Sequence, residues 1–158
     1  MKHSVVLFLS PIWTQDKSSE AQDNFVHKQY TNIIDGQEVD CIQTNESAVR
    51  YIQARLKEQE ESISKIYILA SKKVKEAKYF FYQGKECNWS HIDVFKRRLI
   101  GEIGMSEDQF EEIDYDENQT VDMNMNTLLE LAIKLRKEHC ADKDAMIHFD
   151  MTGGLRTV

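Results

Sequence analysis

The residue types best suited to ligand chemistry lie near the end of the chain, in the segment DMTGGLR at residues 150–156. The adjacent Gly153 and Gly154 allow the backbone to approach a ligand closely and to present its N–H groups to a phosphate. Thr152 adds a hydroxyl, and Arg156 adds a guanidinium whose fork geometry suits phosphate oxygens. This segment predicts an anion-binding turn. A plain strand-to-helix turn, in which the glycines only allow the bend, is the structural alternative.

A second candidate segment follows the first apolar run of the chain. Ser10, Ile12, Trp13 and Thr14 lie there, and ligands of open α/β sheets bind beyond the carboxyl ends of the strands. Trp13 is suited to stacking on a planar base, or it is partly buried and holds this loop against the core. Lys72, which follows another apolar run, supplies a cation to an anionic ligand or is a solvated surface lysine.

The remaining chemistry-bearing residues show no ligand spacing. Cys41, Cys87 and Cys140 are far apart and form no CxxC or Cys/His pattern, so we expect reduced thiols of a cytoplasmic protein and no metal site. His148 falls in an apolar segment, which is typical of a core histidine. His91 falls on a predicted helix without a partner at useful spacing.

The charge of the chain limits its partners. The formal net charge is −7, which disfavours direct binding of duplex DNA because that needs many exposed cations on one face. A small ligand with a few phosphates is still compatible, since backbone N–H groups and one or two local cations suffice to bind it. No apolar run approaches the roughly 20 residues that span a membrane.

The pattern of apolar residues predicts the elements that position these candidates. Short apolar segments predict strands at residues 4–9, 39–43, 66–70, 110–115 and 145–149. Helical spacing predicts helices at 45–61, 90–100 and 126–138, the first capped by Thr44 or Asn45. In the second helix, Lys96, Arg97 and Arg98 are expected to face mostly outward. Residues 14–24 are polar and predict a loop that passes into a helix.

Strong apolar strands that alternate with helices imply βαβ units. The predicted fold class is therefore α/β, with a Rossmann-like, mainly parallel sheet and helices on both faces. No repeat or linker divides the chain of 158 residues, so we expect a single domain over 1–158. The strand at 145–149 is expected to be buried within the sheet.

The segment HFDMTGGLR at 148–156 resembles the late signature of CARF (CRISPR-associated Rossmann fold) domains, in which a strand runs into D-x-T-G-G-x-R. The segments LFLSPI at 7–12 and IYILAS at 66–71 are similar to the ligand-facing strands and loops of the same family. The resemblance implies a homodimer whose paired loops line a groove across the twofold axis. It implies a cyclic tetra- or hexa-adenylate as the ligand, with no further cofactor. The implied ligand-binding residues are Ser10, Ile12, Trp13, Thr14, Ser71, Lys72, Thr152, Gly153, Gly154, Leu155 and Arg156.

The resemblance also implies an effector that the ring controls, such as a HEPN-type ribonuclease of type III CRISPR defence. No arginine here precedes a histidine at the R-x(4–6)-H spacing of that nuclease, so we expect a sensor domain, truncated before its next helix, with the effector outside the chain. Slow cleavage of the ring by the sensor stays open, with Thr14, Thr152 and Arg156 as first candidates. The alternatives are the sensing half of a transcription regulator and a generic nucleotide-binding Rossmann enzyme, whose G-x-G-x-x-G is missing after the first strand.

Overall fold

The computed structural model describes residues 1–32, 35–116, 118, 121–139 and 144–152. The strands are β1 (Lys2–Phe8), β2 (Lys28–Thr31), β3 (Glu38–Cys41), β4 (Ile63–Ala70), β5 (Lys78–Tyr82), β6 (Lys85–Trp89), β7 (Phe110–Asp114) and β8 (Ala145–Asp150). The helices are α1 (Thr44–Glu58), α2 (Lys72–Lys75), α3 (His91–Ile103) and α4 (Val121–His139).

Four strands form a parallel sheet in the order β7-β4-β1-β8. Strand β1 lies in the middle and pairs with β4 on one side and β8 on the other. Its residues Val5, Val6 and Leu7 are almost completely buried, as expected for a strand that is covered on both faces. The carboxyl ends of β1 and β8 therefore lie side by side at one edge.

Successive side chains of a strand point to opposite faces, and each face of this sheet carries its own core. One core joins Val5 and Leu7 to Val49 of α1 and to Phe95 and Leu99 of α3. The other core contains Val6 and Phe8 of β1, Tyr67 of β4, and Leu131 and Leu135 of α4. The predicted α/β class, with a parallel sheet and helices on both faces, is confirmed.

Two antiparallel hairpins, β2–β3 and β5–β6, lie outside the parallel sheet. The first includes the predicted strand at 39–43, which pairs with β2 instead of joining the main sheet. The second contains the aromatic run at 79–82, and Phe80 packs with Phe25, Ile12 and Ile42 in a third core. Strand β3 was therefore predicted, whereas its partner β2, the β5–β6 hairpin and the short helix α2 were not.

Three expectations about local structure are wrong. Residues 14–24 form no helix; Thr14 instead bridges Phe25 and Asp23 bridges Tyr82. Strand β8 is an edge strand in the described sheet, and Phe149 is 64% exposed rather than buried. Neither Thr44 nor Asn45 caps helix α1: the cap residue is Gln43, which forms no side-chain cap, and the Asn45 amide bonds to Asp150 instead.

Candidate ligand-binding cleft

The side chain of Asn45, in the first turn of α1, joins the carboxyl ends of β1 and β8. Its Nδ2 donates to the carbonyl oxygen of Phe8 at 3.0 Å and to Oδ2 of Asp150 at 2.8 Å. Its Oδ1 accepts a hydrogen bond from the backbone N–H of Ser10 at 2.9 Å. Asn45 is fully buried, so these bonds form away from solvent. One amide therefore fixes the start of both loops that the sequence analysis singled out.

The carboxylate of Asp150 extends this arrangement into the last described residues. Its Oδ1 accepts the backbone N–H of Thr152 at 2.9 Å and the hydroxyl of Thr152 at 2.5 Å. Asp150 itself is buried. An Asx turn of this kind holds the backbone after β8 in one conformation. The Thr152 hydroxyl, which donates to Asp150, keeps its oxygen lone pairs to accept a bond from a ligand.

A cleft of about 260 Å³ opens beside these two loops. Ser10, Trp13 and Thr152 line it together with Lys28 and Tyr30 of strand β2. Trp13 is 63% exposed and therefore only partly buried, so most of its surface is accessible to a ligand. The Nζ of Lys28 lies 4.7 Å from the centroid of the Trp13 ring, a cation–π contact. Among the described residues that line the cleft, Lys28 is the only cation.

Gln43 lines the same cleft at the start of α1. Its Nε2 donates to the carbonyl oxygen of Ser10, whereas its buried Oε1 has no hydrogen-bond partner among the described residues. A buried acceptor without a donor is energetically costly. A ligand with an N–H or O–H group relieves that cost, and the neighbouring amino terminus of α1, at Thr44, favours negative charge nearby.

The other predicted residues of the first loop, Ile12 and Thr14, do not line the cleft. Ile12 is buried in the third core, and its backbone N–H donates to Nδ1 of His91 at 2.8 Å. Burial, with smaller contributions from the charges of Lys78 and Lys73, lowers the pKa of His91 to about 4. Thr14 forms the bridge to Phe25 and does not line the cleft.

The residues predicted after strand β4 also lie outside the cleft lining. Ser71 is buried and stands immediately before helix α2. Lys72 has an 88% exposed side chain, and its Nζ lies 3.8 Å from a carboxylate oxygen of Glu76. Gly153, Gly154, Leu155 and Arg156 lie outside the described residues. Of the eleven predicted site residues, the structure therefore brings together Ser10, Trp13 and Thr152.

Lys28, Gln43 and the loop-joining role of Asn45 are not predicted by the sequence. Lys28 and Gln43 come from a hairpin and a helix start that carry no motif, so spacing along the chain gave no signal. Asn45 was interpreted as a helix cap because asparagine is common there. Its actual partners, Phe8 and Asp150, are far away in sequence, and only tertiary structure brings them within reach.

His148 is half-buried in β8, and its Nε2 lies 3.0 Å from Nδ1 of His3. Burial, assisted by the neighbouring His3, lowers the pKa of His148. The other nitrogen of His3 contacts the carboxylate of Glu61. These contacts give His148 a partner inside the fold, and it does not line the cleft.

The described residues contain neither a group of side chains suited to a metal ion nor a helix suited to crossing a membrane. Within those residues, no three His, Cys, Asp or Glu side chains are grouped so that they hold a metal ion. None of the helices described there is both long enough and apolar enough to cross a membrane.

Comparisons with known proteins gave no match. No protein-family model matches the chain, no curated protein does, and neither does any solved structure.

Proposed function

We propose that this chain is a CARF-type sensor domain that binds a cyclic oligoadenylate in the cleft at the carboxyl ends of β1 and β8. The observation that carries the proposal is the shared cleft of Ser10, Trp13 and Thr152. These residues come from the two loops whose sequences resemble the family's ligand-facing segments. Asn45 bonds to Ser10 and to Asp150, so it holds the two loops next to each other and a ligand in the cleft contacts both.

The chemistry of the cleft fits an adenylate. An adenine stacks on the exposed face of Trp13, and such stacking contributes about 1–3 kcal/mol per base. Lys28 and the amino terminus of α1 attract the phosphate. The unpaired Oε1 of Gln43 accepts a hydrogen bond from the amino group of a base or from a ribose hydroxyl.

The size of the cleft supports the homodimer that we expect. A volume of about 260 Å³ lies just below the range of ~300–1,000 Å³ that encloses a drug-sized ligand. It accommodates about one nucleoside, and in the proposed dimer a ring of four or six adenylates extends from it onto the second protomer. Phe149 and Met151, next to Thr152, are exposed apolar residues of the kind that isologous interfaces bury.

A ring that contacts both protomers orders them relative to each other, and we propose that this ordering controls an effector, a HEPN-type ribonuclease or a DNA-binding domain. The generic dinucleotide-binding alternative is less well supported. In that fold a glycine-rich turn leads from the first strand directly into a helix. Here the first glycine of the chain is Gly36, and β1 is followed by a hairpin before α1 begins.

A titration of the purified protein with cyclic tetra- and hexa-adenylate tests the proposal, with linear tetra-adenylate as the control ligand. We expect one ring to bind per dimer, and Trp13→Ala to weaken binding about tenfold or more because the stack is lost. Tyr79→Ala is the matched control, since Tyr79 is an exposed aromatic residue that does not line this cleft. Equal binding of ring and linear ligand, or unchanged affinity in Trp13→Ala, would overturn the assignment.

A further inference from the structure

A second cleft, of about 700 Å³, lies between the β5–β6 hairpin and helix α3 and shares no lining residue with the first. Lys85, Cys87 and Trp89 alternate along β6 and therefore point to one face of the hairpin. Arg97 and Gly101 lie four residues apart and share one face of α3. The two faces bound the same empty space.

The floor of this cleft, which we call the Trp89 cleft, carries a preformed stack. The guanidinium carbon of Arg97 lies 4.3 Å from the centroid of the Trp89 ring. Trp89 also packs against Tyr82, with ring centroids 5.4 Å apart, so the indole is held from a second side. Within the described part of the chain, Arg97 forms no ion pair. Its guanidinium therefore offers a planar face and several N–H donors to a ligand.

The charges around the Trp89 cleft are locally positive, although the chain carries a net charge of −7. Its lining includes Lys85, Lys96 and Arg97 against the carboxylates of Asp93 and Glu107. Lys96 pairs with Glu107 at 3.3 Å, and Asp93 accepts a hydrogen bond that caps α3. Lys85 and Arg97 are then the cations that have no carboxylate partner among the described residues.

The spacing of these groups defines the ligand. Lys85 and Trp89 are four residues apart on one strand, which separates their backbones by about 13 Å at ~3.3 Å per residue. A flexible lysine side chain shortens that span. A ligand that matches it has a planar ring for the Trp89–Arg97 end and an anionic group within reach of Lys85. Gly101 leaves the helix side open, since a methyl group there would meet nothing within 4 Å.

We propose that the Trp89 cleft is a separate binding site for a nucleoside phosphate, whose base stacks on the Trp89–Arg97 pair and whose phosphate accepts a hydrogen bond from Lys85. Its volume of about 700 Å³ lies within the range of ~300–1,000 Å³ of small-molecule sites. The proposal does not rest on cyclic oligoadenylate binding, because the two clefts have different residues and different cations.

The chain has two tryptophans, one in each cleft, and this permits a direct test. In the Trp13→Phe protein, Trp89 is the remaining tryptophan, and its emission is titrated with adenosine 5′-monophosphate. We expect saturable quenching that Arg97→Ala weakens about tenfold or more. Arg55→Ala, which removes an exposed arginine of α1, is the matched control and leaves the affinity unchanged. Adenosine without its phosphate is expected to bind more weakly.

The Cys87 thiol supplies a second readout in the same cleft. Burial raises the pKa of Cys41 to about 11, so at pH 8 that buried thiol is inert to alkylation. In a Cys140→Ser background, saturating adenosine 5′-monophosphate is expected to slow the alkylation of Cys87. Circular dichroism verifies that the Arg97→Ala protein is folded, and Arg97→Lys repeats the test with the positive charge retained.

Two results would overturn the proposal. One is the absence of a saturable change in Trp89 emission, or of Cys87 protection, with up to ~10 mM nucleotide. The other is quenching confined to the Trp89→Phe protein, which would place the nucleotide in the cleft of Trp13. Conversely, a protein that binds the nucleotide at Trp89 but no cyclic ring at Trp13 would refute the proposed sensor function and leave this site standing.

Discussion

Nδ1 of His91 accepts the backbone N–H of Ile12 at 2.8 Å, and this bond ties the loop after β1 to the first turn of α3. The His91 ring is buried and meets the ring of Phe80 edge to face, with centroids 5.3 Å apart. A nitrogen that accepts an N–H bond must be unprotonated. The loop that presents Trp13 to the cleft is therefore held by a neutral histidine.

This bond predicts that the protein loses stability in mild acid. Because the pKa of His91 is lowered from 6.5 to about 4, the unfolded chain takes up a proton at this site before the folded protein does. The contribution of neutral His91 to the free energy of unfolding is fully present above pH 6.5 and is lost as the pH falls toward 4. Urea denaturation is expected to show a loss of about 2–3 kcal/mol from this group between pH 7 and pH 4.5.

His91→Asn is the control variant, since its amide oxygen also accepts an N–H bond but does not titrate. Between pH 7 and pH 4.5, the free energy of unfolding of His91→Asn is expected to fall by about 2–3 kcal/mol less than that of the unchanged protein. The pKa of His148 is also lowered and the pKa of His27 is raised, but both residues are present in both proteins and cancel in the difference. Parallel stability curves for the two proteins would show that His91 is not the responsible group.

Because Glu46 and Arg98 form a buried ion pair, we predict that Arg98→Ala strongly destabilises the protein. Glu46 is fully buried, and Arg98 donates to its Oε1 from Nη2 at 2.8 Å and from Nε at 3.1 Å. Arg98→Ala leaves this carboxylate without its principal partner, although Arg50 remains 3.4 Å away. We expect a loss of about 3–5 kcal/mol in the free energy of unfolding, measured by urea denaturation.

The matched control for this pair is again Arg55→Ala, an exposed arginine whose removal is expected to leave the stability nearly unchanged. Adding Glu46→Gln to Arg98→Ala removes the uncompensated charge and is expected to recover part of the loss. A loss of under ~1 kcal/mol in Arg98→Ala would mean that Arg50 alone satisfies Glu46.

We predict that the Asn45→Asp protein becomes less stable as the pH rises. The new carboxylate would face Asp150, whose Oδ2 now accepts a hydrogen bond from Asn45 at 2.8 Å. Two carboxylates at that distance share a proton, which raises a pKa above its unfolded value, so the folded state is favoured at low pH and loses stability as the pH rises. Thermal denaturation at pH 5 and pH 8 measures the effect. A variant that is equally stable at both values would contradict it.

The positions of the lysines predict which of them matters for the ring. Lys28→Ala is expected to weaken ring binding several-fold more than Lys72→Ala, because Lys28 lines the cleft whereas Lys72 lies outside its lining and is almost fully exposed. Arg156→Ala, in the turn that carries the family resemblance, is likewise expected to exceed Lys72→Ala. Isothermal titration calorimetry with the better-binding ring makes the comparison. Equal losses for Lys28 and Lys72 would argue against the cleft as the ring site.

The sequence by itself determined the class of fold and the central elements. The apolar segments that became β1 and β4 have few polar residues because both faces of a central parallel strand are buried, and this pattern is visible without coordinates. The three-to-four-residue spacing of Val49, Ile52 and Leu56, and of Phe95 and Leu99, likewise placed α1 and α3. A local pattern suffices wherever one buried surface dictates the residue types.

Only the tertiary structure decided the polar partners that build the site. Lys96, Arg97 and Arg98 were all expected to face outward, yet Arg98 reaches the buried Glu46 and Arg97 stacks on Trp89. Asn45 likewise bonds to Asp150, which lies 105 residues further along the chain. The partner of a polar side chain depends on which groups the fold brings close to it. The same residue type is therefore a helix cap, a surface charge or a buried bridge in different surroundings. Hydrophobic periodicity reports burial, but it contains no information on which buried donor meets which acceptor.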